Sequence, residues 1–200
     1  LIMLVGQVHR GHMDREALQE IDYRRMFGGM TKWVTQIEIP ARIPEQIARA
    51  FQTAASGRPG PVVISLPEDM QREEAVTEDT APYRAVRASP GAGELAELAE
   101  LLGAAERPVA IVGGGGWTPE ACADITRFLE THDLPVACTF RRQDIIDNTH
   151  PNYAGDLSPG SNPALVNRIK RSDLLLVIGS RLDEISTQRY TLIDAPVPSQ

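Results

Sequence analysis

One segment of the chain constrains its fold more than any other. Residues 108–112 form an apolar run, and four glycines follow at 113–116. Thr118, Pro119 and an amphipathic stretch come next, an order that predicts a buried strand, a glycine-rich turn and a helix. Four residues without a Cβ at a helix N-terminus would let a phosphate or dinucleotide approach unpaired N–H groups closely. The G-x-G-x-x-G spacing is incomplete because Thr118 occupies its last position, so a tight connection without a ligand is the alternative.

The same alternation continues on both sides of this segment. An amphipathic helix with apolar residues from 95 to 105 precedes it, and two more strand patterns follow at 135–139 and 174–179. Helical patterns cover 119–131 and 163–171, with Thr118 and Asn162 placed as N-caps. Residues 91–200 are therefore predicted to form an α/β domain, a Rossmann-like doubly wound parallel sheet.

Residues 1–70 predict part of a second α/β domain. Apolar strand patterns cover 1–5 and 61–66, an extended stretch covers 35–39, and a helical pattern covers 43–54. Strand, helix and strand in that order indicate a parallel βαβ crossover, with too few strands for a complete sheet. The charged stretch 71–90 shows neither a helical nor a strand period, and it is predicted to be a linker.

A connection of more than twenty residues separates Thr139 from Asn162. Such a length is unusual in an α/β unit and indicates either a functional loop or elements that the pattern does not reveal. The connection leaves the carboxyl end of a strand, where open α/β sheets bind ligands. Its arginines could pair with phosphate, or the connection could be a solvated surface loop.

Composition excludes several classes of function. Twenty Lys and Arg are outnumbered by 27 Asp and Glu, which argues against a nucleic-acid partner. The apolar runs are far shorter than the roughly 20 residues of a membrane span. Cys122 and Cys138 show no metal-binding or redox spacing, and His9, His12 and Asp14 have no fixed helical spacing, so we expect reduced thiols, no metal site and a cytoplasmic location. The apolar start at Leu1 and the lack of a closing element near Gln200 predict a piece of a longer protein.

Five motifs occur in an order and spacing typical of one enzyme family. They are Gly6-Gln7-Val8, Ala17-Leu18-Gln19-Glu20, Thr31-Lys32, Ser56-Gly57-Arg58-Pro59-Gly60-Pro61-Val62 with Leu66-Pro67, and Val177-Ile178-Gly179-Ser180-Arg181-Leu182-Asp183. Together they span nearly the whole chain, which resembles the thiamine-diphosphate enzymes of the acetolactate synthase group. Under this resemblance, residues 1–70 are the C-terminal part of the pyrimidine-binding domain and 91–200 are the central domain.

The resemblance implies a parent enzyme that is a carboligase or decarboxylase acting on 2-keto acids or related donors. It implies thiamine diphosphate and Mg²⁺ as cofactors, FAD or ADP in the central domain, and a homodimer or homotetramer. The activating glutamate would precede Leu1, and the Gly-Asp-Gly motif that holds Mg²⁺ would follow Gln200. We therefore expect the 200-residue chain to be inactive by itself.

Site residues follow from the resemblance position by position. Gln7 and Gln19 match glutamines that line the active site, with ordinary polar loop residues as the alternative. Arg58 matches an arginine that contacts FAD in the flavin-containing members. The positions matching the nucleotide-lining part of the central domain are Gly113, Gly114, Gly115, Thr139, Phe140, Arg141, Arg181 and Asp183. Arg181 and Asp183 could instead pair only with each other.

The chain departs from the acetolactate synthase pattern at several positions. His9 stands where proline is usual, Leu18 where phenylalanine is usual, and Glu68 where lysine is usual. Phe140 and two arginines replace a small, glycine-rich segment. These departures favour a paralogue with another donor or acceptor. The alternatives are a non-catalytic FAD- or ADP-binding module and an NAD-dependent dehydrogenase. The imperfect glycine spacing of this chain, and Thr139 where a dehydrogenase would carry an acidic residue, argue against the dehydrogenase.

Overall fold

The structure of the protein is a computed structural model that describes residues 1–86 and 88–193. The chain divides into two compact units, the N-terminal unit Leu1–Ser89 and the C-terminal unit Pro90–Gln200. No helix among the described residues is both long enough and apolar enough to cross a membrane.

The N-terminal unit contains a three-stranded parallel sheet in the order β1-β3-β2. Its elements are β1 (Ile2–Gln7), α1 (Tyr23–Phe27), β2 (Trp33–Gln36), α2 (Ile43–Ala55) and β3 (Val62–Pro67). The predicted parallel βαβ crossover is confirmed, because β2 and β3 pair in parallel on either side of α2. The extended stretch predicted at 35–39 is only partly right, since the strand begins at Trp33 and ends at Gln36.

One face of α2 is buried against the sheet of this unit. Ala50 and Ala54 of α2 pack in one apolar cluster with Val62 and Ile64 of β3. The small alanines let α2 approach β3, in which four consecutive residues are buried. Each fully buried Val or Ile side chain contributes roughly 1.5–3 kcal/mol of transfer free energy. After a 3-10 turn at Met70–Arg72, residues 73–86 and 88–91 form no helix or strand.

The C-terminal unit contains a four-stranded parallel sheet in the order β6-β5-β4-β7. Its elements are α3 (Ala92–Ala104), β4 (Pro108–Val112), α4 (Pro119–Thr131), β5 (Val136–Thr139), β6 (Tyr153–Leu157), α5 (Pro163–Lys170) and β7 (Leu174–Ile178). The side chains of β4 alternate between two apolar clusters: Ala110 and Val112 pack with α4, whereas Val109 and Ile111 pack with α5. Helices therefore cover both faces, and the predicted Rossmann-like doubly wound parallel sheet is confirmed.

One strand of this sheet lies where the sequence predicts only a connection. β6 occupies Tyr153–Leu157 and pairs in parallel with β5. Its pattern is weak because Gly155, at a φ of 125°, lies in its middle and a register shift interrupts the pairing. The long connection between Thr139 and Asn162 is thus partly a misread element, and the loop proper is shorter.

Candidate functional site

The carboxyl edge of the C-terminal sheet has the geometry of a ligand site. The strand order β6-β5-β4-β7 reverses direction between β4 and β7, and ligands of doubly wound folds bind in the crevice at such a switch point. All eight residues predicted in this unit lie at that edge. Gly113, Gly114 and Gly115 follow β4, Thr139, Phe140 and Arg141 end or follow β5, and Arg181 and Asp183 follow β7.

Two of the glycines at this edge allow two loops to touch backbone to backbone. Gly114 has a φ of 70°, and a Cβ added there would lie 1.8 Å from the carbonyl oxygen of Gly179. Gly179 has a φ of 74°, and its added Cβ would lie 2.4 Å from the carbonyl oxygen of Gly113. That same oxygen accepts a hydrogen bond from Nε1 of Trp117 at 2.8 Å. The loops after β4 and β7 are therefore in direct contact, an arrangement we call the glycine crossing.

Gly113 makes room for a neighbouring side chain. A Cβ added at Gly113 would lie 2.0 Å from Oγ1 of Thr139, which is only 5% exposed. The absence of side chains at Gly113 and Gly114 thus serves packing inside the unit. At Gly115 and Gly116 an added Cβ would meet nothing within 4 Å, so a ligand can approach the backbone closely at these two positions.

The N-terminus of α4 carries its own polar partners. The Oγ1 atom of Thr118 accepts a hydrogen bond from the N–H of Ala121 at 3.2 Å, and Pro119 has no N–H to donate. The carboxylate of Glu120 accepts hydrogen bonds from its own N–H and from Thr118, which lower its pKa. A phosphate at this helix end would meet a carboxylate already in place.

Two exposed arginines, Arg141 and Arg181, lie at this edge. Arg141, with a φ of 63°, stacks its guanidinium 4.8 Å from the centre of the Phe140 ring. Arg142 is instead bound to Asp144 at 2.9 Å. Arg181 is exposed and, among the described residues, forms no ion pair with Asp183 within 4.0 Å. The alternative that these two residues pair only with each other is therefore not seen.

Asp183 has a structural partner. Its Oδ1 atom accepts a hydrogen bond from the N–H of Ser186 at 2.9 Å. Hydrogen bonds from Ser186 are the main cause of a lowered pKa for this carboxyl. Asp183 is nevertheless exposed to solvent, where a carboxylate can accept from a ribose or adenine donor.

A second candidate site lies at the carboxyl edge of the N-terminal sheet. Gln7, Gln36 and Ser65, from three parallel strands, line a cavity of about 260 Å³, which we call the carboxyl-edge cavity. Ser65 donates through Oγ to Oε1 of Gln36 at 3.2 Å, and Gln36 donates through Nε2 to Glu38 at 2.6 Å. The cavity is thus lined by amide, hydroxyl and carboxylate groups.

Gln7 holds the loop that closes this cavity. It is 7% exposed, its Nε2 donates to the carbonyl oxygen of Ile21 at 2.7 Å, and its Oε1 accepts from the N–H of Val8 at 2.9 Å. Gln19 lies two residues before Ile21, is exposed, and has a φ of 70°. The structure therefore brings Gln19 to the loop that Gln7 fixes, but it leaves the Gln19 side chain facing solvent.

Arg58 lies at the opposite edge of the same sheet. It is exposed and precedes β3, whereas Gln7 ends β1, which is parallel to β3. It lines an open cavity of about 710 Å³ together with Lys32, whose Nζ donates to the carbonyl oxygen of Ser56 at 2.6 Å. The N-terminal unit does not bring Arg58 and Gln7 together.

Several residues of the carboxyl-edge cavity are absent from the sequence prediction. Gln36 and Ser65 line it, and Tyr23, another lining residue, donates its hydroxyl to the carbonyl oxygen of Gly6 at 3.0 Å. The signal that could have revealed Gln36 is a polar side chain at the end of a parallel strand, the pattern that marks Gln7. Tyr23 gives no such signal because it begins α1, a helix of five residues that is too short to show a period.

The described residues contain no group of three or more His, Cys, Asp or Glu side chains that could hold a metal ion. The rings of His9 and His12 stack with their centres 4.7 Å apart. Nε2 of His9 lies 3.9 Å from Oδ2 of Asp69.

Comparison with known proteins places this geometry in one family. The family described as "Thiamine pyrophosphate enzyme, central domain" matches residues 95–198. The acetolactate synthase large subunit of Corynebacterium glutamicum is 33% identical over 189 residues, covering 92% of this chain and 30% of the relative. The probable acetolactate synthase large subunit of Methanocaldococcus jannaschii is 32% identical, covering 92% of this chain and 32% of the relative.

A third relative shows the same extent of similarity. The acetolactate synthase isozyme 2 large subunit of Escherichia coli is 27% identical, covering 92% of this chain and 34% of the relative. The chain thus spans about a third of the length of these curated relatives. Together with the parallel sheets flanked by helices, the match over more than half of the residues shows that the chain belongs to the thiamine pyrophosphate enzyme family and resembles its acetolactate synthase members.

Proposed function

We propose that the chain is part of a thiamine-diphosphate-dependent carboligase or decarboxylase that acts on 2-keto acids or related donors. The observation that carries this proposal is the extent of the similarity to acetolactate synthases, which covers 92% of the chain and therefore includes both units. Residues 1–70 would be the C-terminal part of the pyrimidine-binding domain, 71–90 a linker, and 91–200 the central domain.

The carboxyl-edge cavity fits part of a polar organic cofactor. Its volume of about 260 Å³ is slightly below the roughly 300–1,000 Å³ of small-molecule sites, and its wall offers amide, hydroxyl and carboxylate groups. The chemistry supplied by bound thiamine diphosphate is that of an electron sink for carbonyl compounds. Gln7 would orient the loop at Ile21, and with it Gln19, towards the reacting groups.

We assign Mg²⁺ and the diphosphate to parts of the parent protein other than these 200 residues. Three acidic or imidazole side chains do not come together among the described residues, and Mg²⁺ requires several oxygen ligands. We also propose that the parent is a cytoplasmic homodimer or homotetramer, as the family resemblance implies. The chain by itself would then not turn over substrate.

The proposal is tested with the full-length protein that contains this chain. Thiamine diphosphate and Mg²⁺ are added, and consumption of pyruvate, 2-ketobutyrate, an acyloin and an acyl-CoA substrate is followed. We expect cofactor-dependent consumption of at least one substrate. The conservative change Gln7→Glu should lower kcat/KM, and Gln52→Glu, the same change at an exposed position of α2, serves as the comparison. Failure to consume any of these substrates would refute the proposal.

The second candidate is a nucleotide-binding role for the C-terminal unit with FAD or ADP as ligand. It is supported by the exposed Gly115 and Gly116 at the switch point, beside Arg141 and Arg181. Calorimetry of the 200-residue chain with FAD, ADP and NAD separates this role from catalysis. Binding of FAD or ADP that weakens in Arg181→Gln but not in Arg171→Gln, which changes an arginine beyond the end of α5, would support it. No heat from any of the three would exclude it.

A further inference from the structure

A second cavity in the N-terminal unit lies between β2 and α2. Its volume is about 400 Å³, within the usual range of small-molecule sites. It shares a wall with the carboxyl-edge cavity, but neither Gln7 nor Ser65 lines it. We call it the arginine cavity, after three of its lining residues, Arg24, Arg42 and Arg49.

Acidic side chains neutralise only part of this positive charge. Arg42 binds Glu45 at 2.6 Å, and Glu38 accepts from Nε2 of Gln36 at 2.6 Å. Among the described residues, Arg24 and Arg49 have no carboxylate within 4.0 Å. The three arginines and two glutamates of the lining leave a local charge of +1 in a chain whose net charge is −7. The lining of this cavity therefore favours an anion, although the chain as a whole is negatively charged.

A buried amide adds a neutral hydrogen-bond donor to the same wall. Gln46 is 8% exposed, and its Oε1 accepts from the hydroxyl of Thr35 at 3.3 Å. Its Nε2 atom meets no acceptor within the part of the chain that the structure describes, and Gln46 lines the arginine cavity. Among the described residues no fully buried side-chain polar atom lacks a partner, so Nε2 of Gln46 is open to solvent in this cavity, where it can donate to water or to a ligand.

Trp33 fixes one of the two unpaired arginines. The guanidinium carbon of Arg49 lies 4.6 Å from the centre of the Trp33 ring. Stacking on an aromatic face restricts the guanidinium without using its N–H donors, which remain available to an oxyanion. The site thus contains a preoriented guanidinium, a second unpaired guanidinium at Arg24 and an unpaired amide.

We propose that the arginine cavity binds a small molecule through a carboxylate or phosphate group, which Arg24, Arg49 and Nε2 of Gln46 receive. Guanidinium groups bind both kinds of oxyanion through paired N–H donors. The arginine cavity shares Arg24, Gln36 and Glu38 with the carboxyl-edge cavity, but the inference does not depend on the proposed catalytic function.

The test uses NMR of the ¹⁵N-labelled 200-residue chain, which has two tryptophans and therefore two indole N–H signals. The signal of Trp117 is identified with the variant Trp117→Phe. Sodium phosphate and sodium succinate are titrated separately at constant ionic strength set with sodium chloride. We expect the Trp33 signal to shift in a saturable way with at least one of the two anions.

Matched variants distinguish a built site from general attraction of anions. Arg24→Gln and Arg49→Gln should each weaken binding by about tenfold or more, because each removes a charged hydrogen-bond donor. Arg25→Gln removes the same charge from the same helix but does not line the cavity, and it should leave affinity unchanged. Circular dichroism melting of each variant ensures that only folded protein is compared.

Each result decides the proposal. Saturation by phosphate alone assigns a phosphorylated ligand, and saturation by succinate alone assigns a carboxylate ligand. A shift that grows linearly with both anions would overturn the proposal, as would equal weakening by Arg25→Gln. Arg24→Gln keeps the test valid if Arg49→Gln does not fold, since Arg24 does not stack on Trp33.

Discussion

Arg10 binds both carboxylate oxygens of Asp69, through its backbone N–H to Oδ1 at 2.9 Å and through Nε to Oδ2 at 2.7 Å. The guanidinium also donates to the carbonyl oxygen of Glu38 at 2.6 Å and pairs with Glu73. Arg10 follows β1, Glu38 follows β2 and Asp69 follows β3. One side chain thus joins the three loops that leave the carboxyl edge of the N-terminal sheet.

This relationship predicts an acid-sensitive contribution to stability. Burial would raise the pKa of Asp69, but hydrogen bonds from the backbone and side chain of Arg10 outweigh it and hold the pKa at about 2, below the ordinary 3.8. Because the folded-state pKa is depressed, the contribution is complete above about pH 4 and is lost as the pH falls towards 2. Urea unfolding from pH 6 to pH 2 should therefore show Asp69→Asn to be destabilising at pH 6, with the difference shrinking at low pH. The exposed Asp79→Asn should show no such trend, and a pH-independent difference for Asp69→Asn would contradict the prediction.

The glycine crossing predicts opposite results for two adjacent glycines. Gly114→Ala would place a Cβ 1.8 Å from a backbone oxygen at a φ of 70°, so we expect a loss of more than about 2 kcal/mol in the free energy of unfolding. Gly115→Ala meets open space and should stay within about 0.5 kcal/mol of the unmodified chain. Urea denaturation followed by tryptophan fluorescence in a Trp33→Phe background, where Trp117 alone emits, measures both. Equal effects of the two changes would mean that the loops after β4 and β7 do not touch as described.

Gln7 and Gln19 should also differ. Gln7→Leu keeps the approximate size but removes the hydrogen bonds to Ile21 and Val8, so we expect a loss of about 1–2 kcal/mol and faster amide exchange at Val8. Gln19→Leu changes an exposed side chain and should leave exchange at Val8 unaltered. Hydrogen–deuterium exchange of the 200-residue chain checks both expectations. Unchanged exchange in Gln7→Leu would show that the loop is held by other contacts.

The two cysteines should react unequally with thiol reagents. Burial is the main cause that raises the pKa of Cys138 to about 11 from 9.0, and Cys138 is fully buried, whereas Cys122 is partly exposed. At pH 8 the higher pKa leaves about a hundredfold less thiolate at Cys138 than an ordinary cysteine has. A colorimetric thiol assay on the native chain should therefore detect one fast thiol, which disappears in Cys122→Ser. Rapid reaction of that variant would show that Cys138 is accessible.

The elements that the sequence predicts best are those with local signals at their ends. Thr118 and Pro119 mark the start of α4, and the structure places this helix at Pro119–Thr131, the predicted range. The side chains of Thr118 and Asn162 accept the N–H groups expected of N-caps. β6 is missed because a strand with glycine and aspartate at its centre has no alternating pattern, and only its pairing with β5 makes it a strand.

The candidate site is less predictable because its parts come from distant segments. The sequence places Gly113 and Gly114 correctly after a strand, yet it cannot show that Thr139 and Gly179 fill the space that these glycines leave. In the same way, the sequence shows Gln46 only as a polar residue of an amphipathic helix. It does not show that the hydroxyl of Thr35 donates to Oε1 of this amide. The partners of these residues are set by tertiary packing, which periodicity and local turn signals do not contain.

The glycine crossing has a mechanical consequence for the C-terminal unit. The loop after β4 leads into α4 on one face of the sheet, while the loop after β7 carries Arg181 and Asp183. Because their backbones abut with no side chain between them, neither loop can shift without displacing the other. A molecule that displaces Arg181 would therefore also displace the loop that leads into α4.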